Sequence, residues 1–319
     1  MKNAIDITAI LVIYNTEYLL HEAIGALKKA ALSLTLQIVI VDNNSRDGSV
    51  ALLRRDFADC ELIVNSVNVG FGRANNQALD RATGRYILLL NTDAFVGVDT
   101  LEKTLGYMEE HPRCGILGVR LIGRDGVVQP SVRYFPTPWN LFLQRTGLNR
   151  IFTGVRLVDD ESWEFEKTTN CDWVTGCYYL ARKEVIDQVG LFDPRFFLYY
   201  EEVDHCLAAK KAGWEVVCYP HTSVVHLGGE SAKADGEITP AGRQIEAIQI
   251  ESELLYFRKN HGIAGVWANV MFSIMGDAIV LTKRLLRRRL PLGFQAYVKH
   301  MALVWSLFRR TRWGTVPTR

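Results

Sequence analysis

Four apolar runs, each ending in a polar loop, constrain this chain more than any other feature. Residues 7–14 (ITAILVIY) are almost continuously apolar, as a strand buried on both faces requires. Residues 36–41 and 86–90 repeat the pattern, and 62–65 is a shorter version. Between them lie segments with helical spacing. Leu20, Ile24, Leu27 and Ala31 recur every three or four residues in 17–31, and 73–82 and 99–111 read the same way. Gly84 stops the second of these helices, and Asp47 or Ser49 in DNNSRDGS offers a helix cap. Strand and helix therefore alternate over the first ~120 residues, which predicts an α/β fold built on a doubly wound, mostly parallel sheet flanked by helices. Such a sheet binds its ligand beyond the carboxyl ends of the strands. The polar clusters fall there: Tyr14-Asn15, Asp42-Asn43-Asn44, residues 68–75 and Asn91-Thr92-Asp93. Packing alone does not readily produce four polar loops after four apolar strands.

Each cluster has a chemical reading and a structural one. Tyr14 could stack on a base or close the core. Asn43 presents the acceptor and donor that complement a pyrimidine imide, and Asp42 could accept from a ring N–H or ribose hydroxyls; both residues also suit a turn. In NVGFGRAN (68–75), Gly70 and Gly72 permit close backbone approach and the following helix offers N–H groups to a diphosphate. Read as G-x-G-x-x-N, the segment echoes a dinucleotide fingerprint, but it follows the third strand and lacks the third glycine. This argues against a nicotinamide-dependent oxidoreductase. Asp93, delivered by an apolar strand with Asn91 beside it, suits Mg²⁺ or Mn²⁺ bridging two phosphates; a lone Asp also caps the next segment. His226 ends the apolar SVVHLGG and becomes a metal-ligand candidate only if Asp93 lies near.

Further along, WVTGCYYL (173–180) places Trp173, Tyr178 and Tyr179 around Gly176, either as a sugar-stacking wall or as core. FFLYYEEVDHC (196–206) runs aromatics into three carboxylates, Glu201, Glu202 and Asp204, at the start of a predicted helix over 201–212. Consecutive helical residues diverge by about 100°, so Glu201 and Glu202 are not expected to face one acceptor equally. Residues 182–189 read as a helix, 214–219 as a strand, 228–237 (GGESAKADGE) as a mobile loop and 242–260 as a helix.

Charge is unevenly placed. From His261 onward there are ten Lys and Arg against one acidic residue, Asp277, so this segment carries +9 while the whole chain carries +2. Residues 262–281 are apolar enough to raise a membrane-span question, but Asn269, Ser273 and Asp277 recur every four residues on one face. That pattern, with Trp305, Phe308, Arg309, Arg310 and Trp313 after it, predicts an amphipathic helical extension on an anionic membrane surface. The alternative is packing on the body or on another subunit. The body lacks a basic groove, which disfavours nucleic acid. The six cysteines form no C-x-x-C pair or zinc-like spacing, and the N-terminus shows no signal peptide, which together point to the cytoplasm.

Taken in order, VIYNTEYL, VDNNSRDGS, NVGFGRANNQAL and LLLNTDA, then WVTGCYYLARKEVIDQVGLFDPRFFLYYEEVDHCLAAKKAGW, then VVHLGG, resemble the inverting family-two glycosyltransferases of GT-A type fold, over about residues 7–230. The resemblance is closest to bacterial rhamnosyltransferases that use a dTDP-sugar. It implies a catalytic domain over 1–240, with a nucleotide-sugar half (1–125) and an acceptor half (126–240), followed by the extension 241–319. It implies that Tyr14, Asp42, Asn43, Asn68, Gly70, Asn75, Asn91 and Asp93 hold a dTDP- or UDP-sugar. Trp173, Gly176 and Glu201 are then expected to hold a glycan or lipid-linked saccharide, and Asp93 with His226 a divalent cation, Mg²⁺ or Mn²⁺. Two positions depart from the family pattern. Asn91-Thr92-Asp93 stands where Asp-x-Asp is common, which removes one ligand charge. Glu201-Glu202 stands where Glu-Asp is usual, so the general base falls on Glu202, one methylene longer. These departures keep open a catalytically degenerate sugar-nucleotide-binding or scaffold protein. The expected location is the inner face of the cell membrane, with a homo-oligomer compatible.

Overall fold

A computed structural model describes residues 5–31, 33–159, 163, 166–228, 243–286 and 294–319. Of the loop expected at 228–237, residues 229–237 lie outside the described residues.

The first half alternates as the apolar runs predict: β1 (Ile7–Ile13), α1 (Glu17–Ala30), β2 (Leu36–Asp42), α2 (Ser49–Asp56), β3 (Glu61–Val64), α3 (Phe71–Leu79) and β4 (Tyr86–Leu90). β1 lies between β2 and β4, parallel to both, with Ile10 opposite Val39 on one side and Leu89 on the other. β3 extends this parallel edge beside β2. Because successive strand side chains alternate in direction, Ile10, Val39, Val41 and Leu89 enter one core while Ala9, Leu11, Ile40 and Leu88 enter the other. Both faces are covered, which is why these strands read as unbroken apolar runs.

The second half joins the same sheet rather than building another. After β5 (Ala94–Val96) and α4 (Thr100–Glu110) come β6 (Cys114–Ile122), β7 (Val128–Gln129), α5 (Pro138–Thr146), β8 (Thr169–Asn170), β9 (Tyr178–Arg182), α6 (Lys183–Val189), α7 (Glu201–Lys211) and β10 (Glu215–His226). The strand order is β3-β2-β1-β4-β9-β6-β10-β5. β9 inserts antiparallel between β4 and β6, and Tyr178 and Tyr179 are core residues on it. β10 outruns the expected strand at 214–219 because a register shift between Tyr219 and Ser223, spanning Pro220, lets it continue beside β6. Its last residues turn to pair antiparallel with β5, which sets His226 opposite Ala94.

Two helices follow, α8 (Arg243–Leu286) and α9 (Phe294–Arg310). α8 is broken at Gly262, whose φ of 68° and ψ of −165° no helix accommodates. Before the break, Leu254, Leu255, Tyr256 and Phe257 are fully buried in the core that β1, β2 and β4 share; each such side chain stabilises by roughly 1.5–3 kcal/mol. Beyond it, Asn269 and Asp277, on the polar face of the helix, are buried against the body rather than facing water. Asp277 is bound by Arg145 of α5 at 2.6 Å and by His300 of α9 at 2.6 Å, which fastens both helices to the body.

Candidate active site

The topology opens a cleft of about 320 Å³ beyond the carboxyl ends of β1, β2 and β4. Tyr14, Asn43, Asn68, Gly70, Asn91 and Asp93 line it from the first half; Gly176, Glu201, Glu202 and His226 line it from the second, and Ile248 of α8 also reaches it. Three expected residues are not on this wall. Asp42 is buried and accepts from the Ser45 backbone N–H at 3.2 Å. Asn75 turns back to the Phe71 carbonyl at 3.0 Å. Trp173 is core: its indole N–H donates to the Tyr134 carbonyl, and its ring lies beneath the Arg133 guanidinium at 4.8 Å.

Asn43 reaches the cleft with its amide committed. Nδ2 donates to Asn68 Oδ1 at 2.8 Å, and Oδ1 accepts from the Val69 N–H at 3.0 Å. It therefore shapes the 65–70 loop. Gly70 takes φ +90°, and a Cβ there would lie 2.5 Å from the Phe197 carbonyl. Its close approach is to another loop, and the first N–H of α3, on Phe71, donates to that same carbonyl at 2.8 Å. These contacts weld the nucleotide half to the FFLYYEE segment.

At one end of the cleft, Asp93 and His226 face each other because β5 and β10 pair there. His226 Nε2 is 3.8 Å from Asp93 Oδ1. His226 Nδ1 donates to Gln129 Oε1 at 2.9 Å, and Gln129 Nε2 donates back to the His226 carbonyl at 2.9 Å. That clamp fixes the tautomer and turns the Nε2 lone pair toward Asp93, the arrangement expected of a metal-ligating imidazole. Burial holds the His226 pKa below its ordinary value against the opposing pull of Asp93, so the ring is neutral at pH 7. The described residues contain no group of three or more His, Cys, Asp and Glu that could by itself hold a metal ion. A buried carboxylate oxygen and a half-buried, neutral nitrogen donor side by side nevertheless fit a divalent cation whose remaining ligands are phosphate oxygens and water. Gln129 carried no sequence signal of this role.

At the other end, α7 starts from a strained turn. Tyr199 and Tyr200 are consecutive non-glycine residues at φ 71° and 69°, each costing about 1–3 kcal/mol. The surroundings hold them there. Phe196 is fully buried, Ser252 Oγ donates to the Leu198 carbonyl at 2.8 Å, and Tyr200 Oη donates to Glu253 at 3.2 Å. This turn sets the start of α7 at the cleft, and both Glu201 and Glu202 line it. Glu201 is almost wholly buried, and one carboxylate oxygen of each residue is buried with no hydrogen-bond partner. Burial and the adjacent Glu202 charge push Glu201 well above the usual carboxylate range. Burial raises Glu202 as well, with backbone N–H groups and the Arg133 guanidinium drawing it part of the way back. Those backbone N–H groups and Arg133 favour the ionised form of Glu202, whereas the Glu202 charge opposes ionisation of Glu201. Asp204 is structural, bound by Lys259 at 2.5 Å and Asn260 at 2.8 Å.

This combination of fold and cleft has counterparts. Residues 8–167 match the family described as Glycosyl transferase family 2. The chain is a member of glycosyl transferase family 2. This glycosyltransferase is 25% identical over 280 residues to an N-acetylglucosaminyl-diphospho-decaprenol L-rhamnosyltransferase of Mycobacterium tuberculosis, covering 81% of this chain and 87% of the relative. It is 24% identical over 286 residues to the dTDP-rhamnosyl transferase RfbF of Shigella flexneri, covering 86% and 88% respectively. In fold it is similar to a mannosyltransferase from Pyrobaculum calidifontis solved with GDP-Man and Mn²⁺, with a TM-score of 0.58, 16% identity, and coverage of 98% of this chain and 88% of the other. The mixed, GT-A type sheet is therefore the family scaffold.

Proposed function

We propose that this glycosyltransferase moves rhamnose from dTDP-rhamnose to a lipid-linked saccharide, by direct displacement with inversion. The observation that carries the reading is that one cleft holds both the Asp93–His226 pair and the Glu201–Glu202 pair, a leaving-group end and an attacking end. The names of the two rhamnosyltransferase relatives, each matched over most of its length, support the sugar and the lipid-linked acceptor.

In this reading Glu202 accepts the proton of the acceptor hydroxyl as that oxygen bonds to the anomeric carbon. The carbon–oxygen bond to the nucleoside diphosphate breaks on the opposite face, and its electrons leave with the diphosphate. A raised pKa suits Glu202 to this task, because a base works best when its pKa approaches the working pH. Burial and the Glu202 charge oppose ionisation of Glu201, and in its protonated form it can donate to an acceptor oxygen without adding a second charge. Mg²⁺ or Mn²⁺ held by Asp93 and His226 would neutralise charge on the departing diphosphate. Tyr14, Asn68 and Asn91 border the donor, and Gly176 leaves room for the acceptor sugar. Asp42, Asn75 and Trp173 act from behind the wall. A lipid-linked acceptor presents its sugar at a membrane surface, and of the extension 241–319 the part beyond Gly262 is what we assign to that surface.

Thermal-shift titration with dTDP-, UDP- and GDP-sugars, with and without Mg²⁺ or Mn²⁺, tests the donor, and product analysis with dTDP-rhamnose and a lipid-linked saccharide tests transfer. Metal-dependent stabilisation by dTDP-rhamnose together with turnover is expected. Selective stabilisation by another nucleotide sugar, or binding without turnover, rejects the assignment.

A further inference from the structure

We infer that the outward face of residues 263–286 and of α9 is a docking surface for an anionic lipid bilayer, lying flat on it without crossing it. The break at Gly262 separates two environments. Before it α8 is core; after it Ile263, Trp267, Met271 and Met275 recur every four residues and are all exposed, Met271 to 59%. Trp267 meets Trp305 of α9 at 6.2 Å between ring centroids, which joins this stripe to the exposed Phe294 and Val298. The result is one continuous apolar face of tryptophan, methionine and aliphatic side chains, larger than scattered exposed residues explain.

Charge identifies the occupant. Lys283, Arg284, Lys299, Arg309, Arg310 and Arg312 are exposed on these helices and the turn after α9. From residue 261 onward the only acidic residue is Asp277, which is fully buried on Arg145 and His300. A two-fold pairing of this face with a second copy sets cations against cations with no acid to answer them. A nucleic-acid backbone answers the cations but leaves the tryptophans and methionines in water. Anionic headgroups over an acyl boundary answer both.

The helix is long and apolar enough to cross a bilayer, with a mean hydropathy of 1.6 over its most apolar window. Its other side is tied to the catalytic body, however, by the Arg145–Asp277 pair and by Lys283 donating to the Thr146 carbonyl at 3.0 Å. Crossing would take those groups into hydrocarbon or break them. Lying flat keeps them and buries only the free face.

The test is co-sedimentation of the full chain with phosphatidylcholine vesicles, with and without phosphatidylglycerol. No donor or acceptor is present, so failure here leaves the proposed transfer reaction standing. The parent is expected to prefer the anionic vesicles and to be released by alkaline carbonate. Met271→Glu/Met275→Glu and Arg309→Glu/Arg310→Glu, at exposed positions and with the parent's melting temperature retained, are each expected to weaken binding by about tenfold or more. Four results overturn the inference: equal binding to both vesicle types, variants that bind like the parent, protein retained through the carbonate wash, or a solution dimer that Met271→Glu/Met275→Glu dissociates while vesicles are ignored.

Discussion

At one end of the cleft Asp93 and His226 sit on strand ends; at the other, Glu201 and Glu202 sit on a helix that leaves a strained turn. The first pair is placed by the β5–β10 ladder and needs no unusual backbone. The second requires two left-handed tyrosines held by two neighbouring segments, α8 and the start of α3. Burial acts on both ends and favours the neutral form at each, lowering His226 and raising the two glutamates. A neutral imidazole keeps a lone pair for a cation, and a raised carboxylate is a stronger base. Similar burial thus prepares opposite chemistry, according to which groups the backbone delivers.

The largest expected difference between the ends is in rate. Glu202→Gln should lower transfer by about 10²–10⁴-fold with donor affinity intact, measured by initial rates and calorimetry. Asp93→Asn should cost about a hundredfold and, unlike Glu202→Gln, weaken donor binding and blunt the response to Mg²⁺ or Mn²⁺. Gln129→Leu frees the imidazole and should weaken the metal response by about tenfold, read from cation titrations of the rate. Equal metal responses in parent and Gln129→Leu would remove the clamp from the account. The smallest effect is on stability. A carboxylate whose folded pKa exceeds its unfolded value contributes stability below the unfolded pKa and loses it as pH rises through the folded pKa. Glu201→Gln removes that loss and should raise the stability of the protein at pH 8 and much less at pH 4, in denaturant titrations.

The parallel half of the fold is legible in the sequence because its strands are buried on both faces and end in polar loops. β1, β2 and β4 lie within a residue of the apolar runs that predict them. The second half is less legible. β9 pairs antiparallel in the middle of the sheet, and β10 continues through Pro220 by shifting register, so neither follows a simple repeat. Among site residues, those at strand ends such as Asn91, Asp93 and His226 were readable from position. Asn43 and Asn75 were readable as polar but not as loop braces, because an amide's partner is a tertiary fact. That both Glu201 and Glu202 line the cleft was hidden for the same reason: where the start of α7 sits relative to the cleft is a tertiary fact, set by the turn at Tyr199 and Tyr200.

The most direct test is the pH dependence of single-turnover transfer in the parent, Glu202→Gln and Glu201→Gln. The parent should lose rate on acidification with an inflection above the ordinary carboxylate range. Glu201→Gln should keep that acidic limb, while the residual rate of Glu202→Gln should be flat. A limb that survives in Glu202→Gln and vanishes in Glu201→Gln contradicts the assignment of the base.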